Sequence, residues 1–138
     1  MTEKLGYQVI ENLGDFEIRL YPPHILVSTN ESGSMSNAGN QAFRRLANYI
    51  FGGNNAGRSI AMTAPVLQAQ KEDGFVTSFV MPASMSMSEM PSSSDRTLSF
   101  SEQPGGRFAA VSFSGLASQP LFDSKAKSLR KQLEAKQI

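Results

Sequence analysis

The chain of 138 residues contains no cysteine and only one histidine. Without cysteine there can be no disulfide, no thiolate metal site and no cysteine nucleophile. No apolar run approaches the roughly 18–20 residues that span a bilayer. Neither sign of charge dominates, since 13 basic side chains face 12 acidic ones for a net charge of +1. That balance gives no electrostatic ground for nucleic acid or an anionic membrane as the main partner. Basic residues gather only near the C-terminus (Lys125, Lys127, Arg130, Lys131, Lys136), where Asp123 and Glu134 dilute them into a solvated helix face. The opening Met1-Thr2-Glu3-Lys4-Leu5-Gly6 is polar and unlike a signal peptide, so the expected location is cytoplasmic. A signal removed beforehand would leave no trace.

Catalytic signatures are missing as well. One histidine and no cysteine leave no Ser-His-acid or Cys-His triad to pick out. Thr63 and Ser59 have no base nearby in sequence. The acidic residues Glu11, Asp15, Glu17 and Asp73 stand singly, without metal-ligand spacing. Gly52-Gly53-Asn54-Asn55-Ala56-Gly57 follows a helical pattern instead of opening one, so it is not a phosphate loop. The expectation is a protein that is not an enzyme.

What is present reads as one globular domain, with 40% apolar and 18% charged residues. Phe16-Glu17-Ile18-Arg19-Leu20-Tyr21 alternates apolar and charged side chains, as a half-buried strand does. Pro22-Pro23 interrupts it, because neither proline can donate to a ladder, and His24 to Thr29 resumes in β-rich residues. Ser36 or Asn37 is expected to cap a helix whose stripe is Ala42, Phe43, Leu46, Ala47 and Ile50, and Gly52-Gly53 ends it. Ser59 to Leu67 reads as a strand bent, or held at an edge, by Pro65; Phe75 to Met81 reads as a strand before Pro82. Residues 83–96 are rich in serine and methionine and read as a linker. Thr97–Phe100 and Phe108–Ser114 then flank a turn at Pro104-Gly105-Gly106. Ser118 or Gln119, with Pro120 in the first turn, opens a second helix with the stripe Leu121, Phe122, Ala126, Leu129 and Leu133.

The order is two strands, a helix, two strands, then two strands and a helix. It describes an α+β chain built as a ββαββ unit used twice, about residues 7–82 and 97–138, the second copy without its last two strands. Short connections favour an antiparallel sheet over a parallel α/β fold.

Four segments together resemble the SOUL haem-binding family: residues 16–23 (FEIRLYPP), 43–54 (FRRLANYIFGGN), 60–66 (IAMTAPV) and 79–84 (FVMPAS), with Phe113-Ser114-Gly115 a weaker fifth. The resemblance covers about residues 7–130. It implies a distorted antiparallel β-barrel or sheet flanked by two helices, and a haem or tetrapyrrole carrier or buffer. By the same resemblance, an apolar groove beside the first helix would hold the ligand through Phe43, Arg44, Ala47 and Met62. His24 would be the one possible axial iron ligand, although a partly exposed strand histidine is the plainer reading, and bis-histidine ligation within one chain is excluded. Arg44 or Arg45 could meet a haem propionate; both also fit the solvated flank of a helix. Asn40 and Asn48 stand where the family carries basic residues. Met85, Met87 and Met90 could in principle bind copper, and packing is the stronger reading.

Effector-binding domains of multidrug-responsive regulators share the doubled ββα architecture. The competing expectation is therefore a binding module for other amphipathic small molecules. The family usually continues past its second helix through two more strands. Ending at Ile138, the chain is expected to form a homodimer or a strand-swapped oligomer through its exposed sheet edges.

Overall fold

A computed structural model describes residues 2–72, 74–114 and 118–138. The two prolines at 22 and 23 separate strands β3 (Glu17–Tyr21) and β4 (His24–Glu31). Strands β1 (Glu3–Lys4) and β2 (Gln8–Asn12) precede them. Helix α1 (Met35–Ile50) opens at Ser34, whose Oγ accepts the Asn37 amide at 3.3 Å. The cap therefore lies two residues before the expected Ser36. The helix closes at Gly52, which has φ +111°. A Cβ at the next glycine, Gly53, would stand 2.6 Å from the Asn48 carbonyl oxygen, so no larger residue fits that return.

The strand expected over 59–67 is broken at Pro65 into β5 (Thr63–Ala64) and β6 (Val66–Lys71). Strand β7 (Gly74–Val80) follows, then β8 (Ser99–Gln103), β9 (Gly106–Ala110) and α2 (Gln119–Ala135). Ser118 caps α2 by accepting the Leu121 amide, and Pro120 sits in its first turn as expected. The expected strand residues 111–114 fall outside β9. Gly115 of the weaker motif lies outside the described residues.

Two compact units form. The first holds residues 2–6 with Pro23–Gly105. Its four-stranded antiparallel sheet has the order β6-β7-β4-β8, with β1 and β5 as a short parallel pair. Helix α1 packs on β4 and β7, burying Ala38, Ala42, Leu46, Tyr49 and Ile50 against a core that includes Val27, Ile60, Phe79, Met81 and Leu98. The second unit holds Tyr7–Pro22 and Gly106–Ile138, with an antiparallel sheet of order β2-β3-β9 and helix α2. No residue of α2 is buried.

The pairing explains why compact units cut across the sequence repeat. Within each copy the two leading strands diverge: β3 pairs with β9 and β4 pairs with β8. The first strand of one copy thus takes the second strand of the other. The α+β class, the antiparallel sheets and the two helices agree with expectation. The sheets are open, not closed into a barrel, because this exchange divides the strands among separate sheets.

The stretch 83–96 is held tightly. Tyr49 Oη donates to the Pro91 carbonyl at 2.6 Å, the Asn55 amide donates to Ser92, and the Ser94 hydroxyl donates to Gly53 at 3.1 Å. Met85 is buried and Met90 packs against the core. The connector serves as a lid on the first unit's apolar interior.

Candidate ligand-binding face

Helix α1 carries two adjacent apolar stripes. Ala42, Leu46 and Ile50 are buried, while Phe43, Ala47 and Phe51, displaced by one residue at the same i, i+4 spacing, border solvent. Phe43 is 45% exposed and Phe51 71%. With Val66 at 43%, they are the exposed large hydrophobic residues of the first unit among the described residues.

Phe43 and Val66 both adjoin Phe79. The Phe43 ring meets Phe79 edge to face at 5.2 Å between centroids, and Val66 is the cross-strand partner of Phe79 on edge strand β6. Phe51 bridges to Ser59, and the Ile60 amide donates to the Ile50 carbonyl at 2.7 Å. That return brings the chain leading to Met62 back beside the helix end. Met62 itself is half-buried against the core. Of the residues expected from sequence, Phe43 and Ala47 lie one turn apart on α1, and Met62 packs against the core cluster that the helix covers. Phe51 and Val66 are exposed apolar side chains outside the expected set. The signal for Phe51 was present, as the next step of the 43–47 stripe, but it lies at the helix cap where the periodic pattern stops.

The two arginines separate. Arg45 is committed to structure: its Nε lies 2.7 Å from Glu31 Oε1, and its guanidinium donates to Thr97 Oγ1 at 3.0 Å and pairs with Asp95 at 3.4 Å. Hydrogen bonds from the Thr97 hydroxyl and amide, with Arg45 behind them, hold the Asp95 carboxyl below its ordinary pKa. Arg44 makes no ion pair among the described residues, is exposed, and precedes Ala47 and Phe51 by three and seven residues, beside the stripe.

His24 stands outside that face. Along β4, Val27 joins the core beneath α1 and Glu31 reaches Arg45, so odd-numbered positions face the helix. His24, Leu26 and Ser28 point to the opposite side, where Ser28 and Ser78 hydroxyls lie 2.6 Å apart. His24 opens the strand opposite Gln103, and β-alternation sets it apart from Phe43, Ala47 and Met62.

Among the methionines considered as copper ligands, Met85 and Met90 are engaged in the core, and Met87 begins a single 3-10 turn. No cluster of His, Asp or Glu able to hold a metal ion occurs among the described residues. Tyr49, on the buried side of α1, is fully buried, and burial raises its phenol pKa. No described helix is long and apolar enough to cross a membrane.

The second unit has concavities of its own. One of about 610 Å³ is walled by Ile10, Ile18, Phe108, Ala109, Leu133 and Ile138, with Glu11 and Arg107 on its lining. A smaller one of about 350 Å³ is more polar and includes Asp15, Lys125, Ser128 and Gln132.

Compared with known families, residues 2–138 match the model described as SOUL heme-binding protein. Among curated proteins the chain finds no match.

Proposed function

The chain belongs to the SOUL haem-binding protein family, over essentially its whole length, and from that premise we propose that it is a non-catalytic haem carrier or buffer that seats its ligand on the α1 face. Haem is the ligand of the family. The observation that supports the location is the exposure of Phe43 and Phe51 on α1 and of Val66 on edge strand β6, with Phe43 and Val66 both adjoining Phe79.

The residues fit a flat amphipathic macrocycle. Phe43, Ala47, Phe51, Met62 and Val66 would cover its apolar surface, and burial of that surface would drive binding. Arg44 would take a carboxylate in a charge-assisted hydrogen bond. When bound, haem supplies a redox-active, strongly absorbing iron centre. The protein's role is to cover the faces, hold the edge and limit water. His24 stands on the other side of the sheet, so the reading needs no imidazole from this chain.

The test is an absorption titration. The Soret band should shift and saturate near one equivalent of haem. A spectrum that stays that of free haem in excess protein refutes the proposal.

A second reading rests on the 610 Å³ concavity of the second unit, whose apolar walls carry both Arg107 and Glu11. Other amphipathic small molecules, of either charge, could use it. A panel of cationic and anionic dyes in a thermal-shift assay separates the two readings, since a ligand of the native state raises the midpoint by mass action.

We place the protein in the cytoplasm, with no nucleic-acid partner. Association of two copies through an open edge, β6 or β8, belongs to the same proposal. Light scattering at working concentration checks it, and a monomeric mass removes it.

A further inference from the structure

The core of the first unit gathers several thioethers. Of the chain's seven methionines, four (Met62, Met81, Met85 and Met90) lie in or against one apolar cluster with Leu46, Tyr49 and Phe79. Their burial is graded: Met81 is 3% exposed and Met85 8%, whereas Met62 and Met90 are half-buried. The cluster thus has two sulfurs sealed inside and two at its margin, within reach of a small solute.

Met62 and Met90 are the two partly buried methionines packed against this cluster. Met90 precedes Pro91, whose carbonyl accepts the Tyr49 hydroxyl and so fastens the 83–96 stretch over α1. The face rests on the same cluster through the contact between Phe43 and Phe79.

We infer that this core is a peroxide-sensitive switch: oxidation of Met62 and Met90 loosens the packing beneath α1 and weakens ligand binding on the α1 face. The inference rests on the placement of the ligand proposed above. In the chemical step each thioether sulfur takes one oxygen atom from hydrogen peroxide, which leaves as water. The sulfur is oxidised by two electrons and the peroxide reduced by two. A sulfoxide oxygen is a strong acceptor, and the cluster's hydroxyl, on Tyr49, already donates to the Pro91 carbonyl, so it can stay packed only at a cost. Moving toward water, it draws Met62 and Met90 off the core. Sulfoxide reductases reverse the chemistry, which makes the change a switch and not only damage.

The experiment treats ligand-free protein with stepped hydrogen peroxide and follows each methionine by peptide mass spectrometry. Thermal unfolding and haem titration are run on the same samples, before and after repair by the two sulfoxide reductases. Met62 and Met90 should gain oxygen before Met81 and Met85. The unfolding midpoint should fall by roughly 5 °C or more, as expected when a unit of this size loses core packing. Haem affinity should fall by at least about tenfold, and repair should restore both. A Met62→Leu/Met90→Leu chain, a volume-conserving change, should keep its own midpoint and affinity through the same treatment. Conversion of both residues with no change in midpoint or affinity overturns the switch, and so does resistance of both while Met35 and Met87 are oxidised. Untreated protein that fails to take haem refutes the proposed function itself. Untreated protein that binds, and still binds equally well as the Met62 and Met90 sulfoxide, refutes the switch alone.

Discussion

Phe51 is the residue on which the α1 face can be tested most cleanly, because the folded protein gains so little from its side chain. At 71% exposed, its ring is mostly in water, and the cap contact at that position is made by its backbone amide to the Ala47 carbonyl at 3.0 Å. Phe51→Ala keeps that amide and removes the ring. The expected effect on stability is within about 0.5 kcal/mol, the range of surface substitutions that touch nothing else.

The expected effect on binding is larger. A phenylalanine offers roughly 200 Å² of surface, so the exposed fraction amounts to about 140 Å². A flat ligand resting on one side of the ring would cover about half of it, worth roughly 1.7 kcal/mol at about 25 cal/mol per Å². That is an increase of roughly 15- to 20-fold in Kd. Absorption titration with haem, paired with thermal unfolding of the ligand-free protein, reads both quantities. Phe108→Ala, on the concavity of the second unit and 51% exposed, is the matched control and should leave haem affinity unchanged. If Phe51→Ala binds haem as wild type does, the ligand does not cover the end of α1. If Phe108→Ala weakens haem binding instead, the site belongs to the second unit.

Three further predictions concern the frame around the face. Tyr49→Phe removes the 2.6 Å bond to the Pro91 carbonyl and leaves a buried acceptor unpaired, so denaturant unfolding should show a loss of roughly 1–2 kcal/mol; an unchanged stability would mean that the 83–96 stretch is held by packing alone. Asp95→Asn should cost roughly 1 kcal/mol at neutral pH. Because the folded-state pKa lies below the ordinary 3.8, the carboxylate's contribution is complete above that value and is lost as pH falls through the lower one. The gap to wild type should therefore close on acidification, and one that persists down to about pH 2 contradicts the assignment. His24→Ala should leave the haem spectrum in its wild-type form, since β4 turns His24 away from α1; a changed Soret band in the variant would place the iron beside the histidine after all.

Much of the local structure was legible because it depends on backbone chemistry that residue type fixes. Pro22-Pro23 had to separate one strand from the next, Gly52 had to turn the chain out of α1, and Ser118 with Pro120 had to open α2. The helix start was misjudged by two residues because Ser34 and Ser36 are equally able to cap, and the choice falls to the side chain that finds the Asn37 amide. Strand β2 was not anticipated at all. Gln8-Val9-Ile10-Glu11-Asn12 is exposed throughout and shifts register between Val9 and Glu11, so it carries no alternation to detect. Nor could alternation reveal the exchange of β3 and β4 between sheets. A period of two says which way a side chain points, not which strand lies alongside.

The ligand face shows the same limit in sharper form. In sequence, Phe43 and Leu46 belong to one apolar stripe and are equally good core residues. What divides them is the width of the sheet beneath. Strand β6 is its edge on the Phe43 side, and Val66, opposite Phe79, is the last apolar residue before solvent. Leu46 lies over the sheet and disappears; Phe43 and Val66, both beside Phe79, stand at its margin and remain in view. An exposed apolar residue is thus distinguished from a core residue by where a neighbouring element ends. The family resemblance points to Phe43, Ala47 and Met62; the edge of β6 adds Val66 to the face proposed for the ligand. The same geometry predicts that Val66→Asp should weaken haem binding by placing an uncompensated charge against the covered macrocycle. Its effect on the stability of the ligand-free protein should be small, and a loss of folding without loss of affinity in the remaining folded protein would return Val66 to the core.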